Sequence, residues 1–209
     1  MSFDLDHFVR IRPFAFHLTS ADNLLRIRRE RRLHPALDLI QMAGQPDLAR
    51  THRPVAVRIE IEGDSVHLRD QAPLKRSNVT LDEAWTFGHV VELLNRRVFF
   101  WPGQAGGPIP SGQRHFERYA GERVKILRVP TRALFAANPA LSPEFCKWNS
   151  GAPRWSGGIR PVRGPDTFHS AGQAPYGAAQ VVELTFPGSV VLPQDSQIAE
   201  TAAGPWSAL

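Results

Sequence analysis

At 209 residues and 42% hydrophobic content the chain is long enough to bury a core of its own. It has no apolar run of about 18 residues or more, and its acidic opening lacks a signal-peptide core, so a soluble, intracellular, cytoplasmic protein with no membrane partner is expected. The single cysteine, Cys146, excludes an intramolecular disulfide and a multi-cysteine zinc site, and 25 Lys and Arg against 20 Asp and Glu (net +5) steer the chain toward polyanions.

The first element is organised around Phe14-Ala-Phe-His-Leu-Thr-Ser-Ala-Asp-Asn-Leu-Leu. A period of two puts Phe14, Phe16 and Leu18 on one face and His17 with Ala15 on the other, predicting a strand with His17 near its C-terminal end. Thr19 is placed to cap a following helix with Asp22 three residues on, and the free N–H groups of that helix start favour an anionic ligand. Arg26-Ile-Arg-Arg-Glu-Arg-Arg is either a solvated charged face or a phosphate-contacting surface. Pro35 ends the helix, and residues 36–43 form a short second one.

Val55, Val57, Ile59 and Ile61 alternate with Arg58 and Glu60 in a strand, Glu62-Gly-Asp-Ser turns, and Val66-His-Leu-Arg-Asp returns as its hairpin partner. Thr80-Leu-Asp-Glu reads as a capping box for a helix running to Asn95, with Trp85 in the core. Arg97-Val-Phe-Phe-Trp is an apolar strand ended by Pro102-Gly103, and whichever of Phe99 or Phe100 faces away from the core offers a flat ring to a ligand. A loop over 102–112, a helix over 113–120, a strand from Val124 and a short helix from Thr131 follow. Residues 145–176 form a long irregular segment in which Lys147, Arg154, Arg160 and Arg163 outnumber Asp166 and alternate with Trp148, Trp155 and Phe168. That mixture suits stacking a base or gripping phosphate, and equally suits loop packing. The last strand, Gln180-Val-Val-Glu-Leu-Thr-Phe, sets Val182, Leu184 and Phe186 on one face. Glu183 stands on the other, toward either solvent or a cleft.

His17 on the opening strand, an aromatic strand in the middle and Glu183 on a late strand resemble the His-aromatic-Glu arrangement of the ADP-ribosyltransferase fold. Phe16-His-Leu-Thr-Ser-Ala-Asp-Asn-Leu-Leu-Arg-Ile is similar to the opening of the DarT type of bacterial DNA ADP-ribosyltransferase toxins. Arg97-Val-Phe-Phe-Trp and Gln180-Val-Val-Glu-Leu resemble later blocks of that group. Trp148-Asn-Ser-Gly-Ala-Pro-Arg and Arg163-Gly-Pro-Asp-Thr-Phe are similar to an uncharacterised bacterial family related to it.

The resemblance spans about residues 12–192 of one domain covering 1–209. It implies an α+β fold, a split β-sheet sandwich with peripheral helices and long loops, holding NAD as co-substrate in a cleft without a metal. His17 would hold the adenosine ribose and help with the nicotinamide end, and Phe99 or Phe100, with Trp101, would stack near the nicotinamide. Thr19 would lie at the same nucleotide site, and Asn23 with Arg31 or Arg32 would contact the nucleotide. Glu183 would hold the nicotinamide ribose and stabilise the charge that develops as the glycosidic bond breaks. The basic segment with Arg154, Trp155, Arg160 and Arg163 would receive DNA or RNA as acceptor. An antitoxin or immunity protein would be a further partner.

The chain departs from that pattern in two places. Tyr119 and Tyr176 are not at the middle aromatic position, and the catalytic arginine has two candidates, Arg76 and Arg163. An RNA 2′-phosphotransferase and a catalytically silent NAD- or nucleic-acid-binding module of the same fold are the competing readings.

Overall fold

The computed structural model describes residues 3–152 and 160–209 as a mixed α+β structure. Helix α1 (Leu5–Ile11), capped by the Asp4 side chain on the His7 N–H, leads into strand β1 (Phe14–Ser20). A 3₁₀ turn over Ala21–Asn23 and helix α2 (Leu24–Glu30) follow. The cap is Ser20, whose Oγ accepts the Asp22 N–H, and not Thr19: the strand runs one residue past the expected boundary, and Thr19 is buried within it.

Arg31, at φ 50°, turns the chain into β2 (Arg32–Leu33) and then α3 (Ala36–Met42). Strands β3 (Val57–Ile61) and β4 (Asp64–Leu68) form the expected hairpin. Its two-residue loop, Glu62 at φ 54° and Gly63 at φ 84°, has the twist that matches paired strands. Ile59, Ile61, Val66 and Leu68 pack with Ile40 of α3, whereas Val55, expected in the same row, precedes the strand and is 68% exposed.

The expected capping box at Thr80 is instead strand β5 (Thr80–Leu81), and the helix, α4 (Phe87–Asn95), starts later with Thr86 as cap and His89 closing the box. Trp85 lies before this helix and packs against its core cluster. Strand β6 (Arg97–Gln104) runs through Pro102-Gly103 without ending there. A Cβ on Gly103 would sit 2.3 Å from the Gly107 carbonyl, so only glycine allows β6 to turn this tightly into β7 (Gly107–Pro108).

Helix α5 (Pro110–Arg118) begins three residues earlier than expected, because Pro110 suits a first helical turn. Strand β8 (Val124–Pro130) and helix α6 (Thr131–Ala137) match expectation. The irregular segment contains β9 (Glu144–Cys146), β10 (Val162–Arg163) and β11 (His169–Ser170). Strand β12 (Glu183–Pro187) is not the last: β13 (Val190–Val191), β14 (Gln197–Ala199) and β15 (Ser207–Ala208) follow it.

The main sheet has the order β11-β9-β12-β6-β1-β8-β14-β15, with β7 added to β6. Its two halves meet at β6, which pairs with β12 through Arg97–Phe100 and with β1 only through Phe14↔Gly103, Ala15↔Pro102 and Phe16↔Trp101. From His17 onward β1 leaves β6 and continues beside β8 alone. Both faces near this fork are filled. Ala15, Phe100, Leu127 and Phe186 share one core cluster, while Phe16, Leu18, Trp101 and Phe116 share another. Buried apolar surface on both sides, at about 25 cal/mol per Å², holds the two halves in place around the gap between them.

Candidate functional site

The gap opens at His17. Where the next ladder bond to β6 would fall, the imidazole bonds the Phe99 carbonyl instead, Nδ1 to O 2.8 Å, and its ring packs 5.6 Å from that of Phe100. A carbonyl only accepts, so Nδ1 carries the proton and Nε2 is left as an acceptor. Burial holds the pKa down to about 4, with the Arg69 charge pushing the same way against the Phe99 bond, so the ring is neutral near pH 7.

Glu183 begins β12 opposite Cys146 of β9 and is 2% exposed. Its Oε2 accepts the Ser150 N–H at 3.1 Å. Burial pushes the carboxyl up to about 7, opposed by Ser150 and the positive charge of Arg163. Arg163, itself 1% exposed, donates to the carbonyls of Ser150 (3.2 Å), Pro161 (3.2 Å) and Asn149 (3.1 Å). The guanidinium therefore holds in place the loop that offers its N–H to Glu183. The long sequence separation is bridged by the packing of β9 between β12 and β11.

His17 and Glu183 line one cavity of about 270 Å³, together with Thr19, Phe99, Trp101 and Arg69. Of the two phenylalanines, Phe99 is the one that faces it, edge-on to Phe168 at 5.9 Å. Phe100 is 0% exposed and packs into the core against Phe186. Asn23 is on the wall, but its amide is spent on the backbone of His67, donating to the carbonyl (2.9 Å) and accepting from the N–H (2.8 Å). Arg31 lies off the wall and donates to the Pro193 and Leu209 carbonyls, while its neighbour Arg32 is on it. Arg76 is exposed on a separate 3₁₀ turn. Arg160 is half-buried and lines neither this cavity nor the one beside it. Arg154 and Trp155 lie outside the described residues.

A second cavity of about 310 Å³ adjoins the first and shares His115, Arg118, Asn149 and Ala152 with it. Arg114, Arg118, Lys147 and Arg163 make its wall basic, Trp148 adds an aromatic ring, and among the described residues no acidic side chain lines it. Sequence reasoning missed the contribution of α5. The readable signal was Arg114 and Arg118, four apart and hence on one helical face. Gly112 lets α5 lie close to this site, since a Cβ there would be 2.6 Å from that of Trp101.

A family model described as a family of unknown function, DUF7002, matches residues 13–198. The chain belongs to the DUF7002 family. Comparison with curated proteins and with solved structures finds no match. The DUF7002 segment runs from just before β1 into β14, so His17, Phe99, Ser150, Arg163 and Glu183 all lie within it. Among the described residues no group of three His, Cys, Asp or Glu side chains is arranged to hold a metal ion, and no helix is long and apolar enough to cross a membrane.

Proposed function

We propose that this DUF7002 protein is an NAD-dependent ADP-ribosyltransferase of the DarT-like kind, acting on a nucleic-acid base. The observation that carries the reading is that His17 and Glu183, from opposite ends of the chain, line one cavity where β1 parts from β6. The chemistry of the wall suits the dinucleotide. A neutral imidazole with a free Nε2 acceptor serves a ribose hydroxyl, Phe99 presents a ring to the nicotinamide, and unpaired donors are available for phosphate oxygens.

In the proposed reaction the bond between nicotinamide and C1′ of its ribose breaks. The bonding electrons leave with nicotinamide, which departs neutral, and the ribose gains oxocarbenium character. An ionised Glu183 beside that ribose stabilises the developing positive charge more than the ground state. A nitrogen of the acceptor base then forms the new bond to C1′ and loses its proton to solvent. With its pKa about 7, Glu183 is half ionised at neutral pH, so turnover should rise with pH through that value. The adjoining basic cavity with Trp148 is the place for a phosphate-bearing acceptor, and its lack of described acidic side chains disfavours a basic protein there.

Incubation with NAD labelled in the adenylate half, together with DNA or RNA, tests the reading. Label is expected on nucleic acid with the native chain and is expected to disappear with Glu183→Gln, while NAD affinity is kept. Label only on protein removes the acceptor assignment. NAD binding without any turnover favours a silent binding module of the same fold.

A further inference from the structure

The first cavity also carries hydrogen-bond donors that no described residue satisfies. Both terminal nitrogens of Arg69 are buried without a partner, as is Nε1 of Trp101. The Arg69 guanidinium lies over the Tyr119 ring, 3.6 Å from its centroid, and the ring and hydroxyl of Tyr119 support the cation from one side. The charge of Asp70 also favours the cation, but Asp70 makes no ion pair with it; its Oδ1 accepts from Tyr119 Oη at 3.2 Å and the Ala72 N–H at 2.9 Å. Beneath Arg69, Arg53 donates Nε to the Arg69 carbonyl (3.2 Å) and Nη2 to Asn95 (3.0 Å), leaving its Nη1 buried and unpaired as well. His115 stacks on Trp101 at 4.0 Å, and burial beside Arg69 and Arg118 pushes its pKa down to about 3, so the neighbouring ring adds no charge of its own.

A guanidinium taken out of water with no anion bonded to its terminal nitrogens is costly, and a bound oxyanion offsets that cost. A neutral ligand would leave it uncompensated, and a carboxylate would occupy a single fork. Unpaired donors from Arg69, Trp101 and Arg53, all lining this cavity, suit the several oxygens of a phosphoryl group. We propose that Arg69 is the oxyanion-binding residue of this cavity, taking a phosphate or pyrophosphate group of the ligand, with Trp101 Nε1 as a further donor. The inference rests on the cavity wall and needs neither the glycosidic chemistry nor Glu183.

Arg69→Met tests it, with calorimetric titration of inorganic pyrophosphate, NAD and a short single-stranded oligodeoxynucleotide. The native chain is expected to bind pyrophosphate, and the variant to bind it roughly tenfold to a hundredfold more weakly, the range of charge-assisted hydrogen bonds. Without ligand the variant should melt no lower than the native chain, since an unpaired buried charge has gone; a residue that merely held the fold would show the opposite. Weakened NAD binding assigns the phosphoryl group to the dinucleotide, and weakened oligonucleotide binding assigns it to the acceptor. Pyrophosphate affinity unchanged by the substitution, or absent in the native chain, overturns the inference. If Arg69→Met does not fold, Arg69→Gln replaces it, and native-level pyrophosphate affinity in that uncharged variant overturns the inference equally. Pyrophosphate binding without NAD turnover would remove the proposed reaction and leave this site standing.

Discussion

Glu183→Gln separates the cost of burying a carboxylate from every other effect at the site. In the unfolded chain the carboxyl titrates near 4.5 and in the folded chain about 7, so the folded state prefers the protonated form. The stabilisation is therefore full below pH 4.5 and is lost as pH rises through 7. The difference between the two values corresponds to about 3 kcal/mol. Gln cannot ionise and keeps an oxygen for the Ser150 N–H, while its amide nitrogen lacks an assigned acceptor at a cost of about 1 kcal/mol. Near pH 8 the variant should gain about 2 kcal/mol over the native chain, a rise of roughly 4–8 °C in melting temperature for a chain of this size. At about pH 5 the gain should vanish or reverse. Scanning calorimetry of both proteins across this range reads the difference directly. A melting difference that does not change with pH, or a native chain that gains on the variant as pH rises, would refute a carboxylate buried beside Ser150.

Arg163→Met removes three hydrogen bonds to loop carbonyls and should destabilise by about 3 kcal/mol. It should also move the pH midpoint of turnover upward, since the Arg163 charge favours the ionised form of Glu183; a midpoint that stays put would disconnect the two residues. Asn23→Ala leaves the His67 N–H and carbonyl unpaired and should lower stability by about 1–3 kcal/mol in denaturant unfolding, with NAD affinity unchanged. His17 should show the Nδ1–H tautomer in nitrogen-15 spectra and titrate only about pH 4. Because its folded pKa lies below the ordinary 6.5, the stability it contributes is present above 6.5 and lost as pH falls through 4.

Local order was legible where one stretch of chain carries the whole signal. The alternation of Val57, Ile59 and Ile61, the turn after Ile61 and the short helix after Pro35 depend on neighbours within a few residues and form as expected, although Val55 falls before the strand and the turn tightens from Glu62-Gly-Asp-Ser to Glu62-Gly63. Helix starts were less legible, because Thr19 and Thr86 compete with nearby residues able to cap, and the strand or turn that precedes the helix chooses between them. Strand β12 was legible as a strand, yet its alternation left Glu183 toward solvent or toward a cleft. Both of its faces are buried here, and the acid faces the cavity.

The sequence by itself determined which residues are chemically equipped for a site: an imidazole among apolar side chains, a carboxylate in a buried strand, and an aromatic pair between them. Only the tertiary structure decided their use. Phe99 rather than Phe100 faces the cavity because β1 leaves β6 at His17, a matter of strand pairing that period two cannot express. Asn23, Arg31 and Arg163 are internal ties and Arg69 an unpaired cation for the same reason: a polar side chain is defined by the partners that distant segments bring to it. Burial sets the charge of each group, and burial belongs to the assembled fold, not to any stretch of the chain.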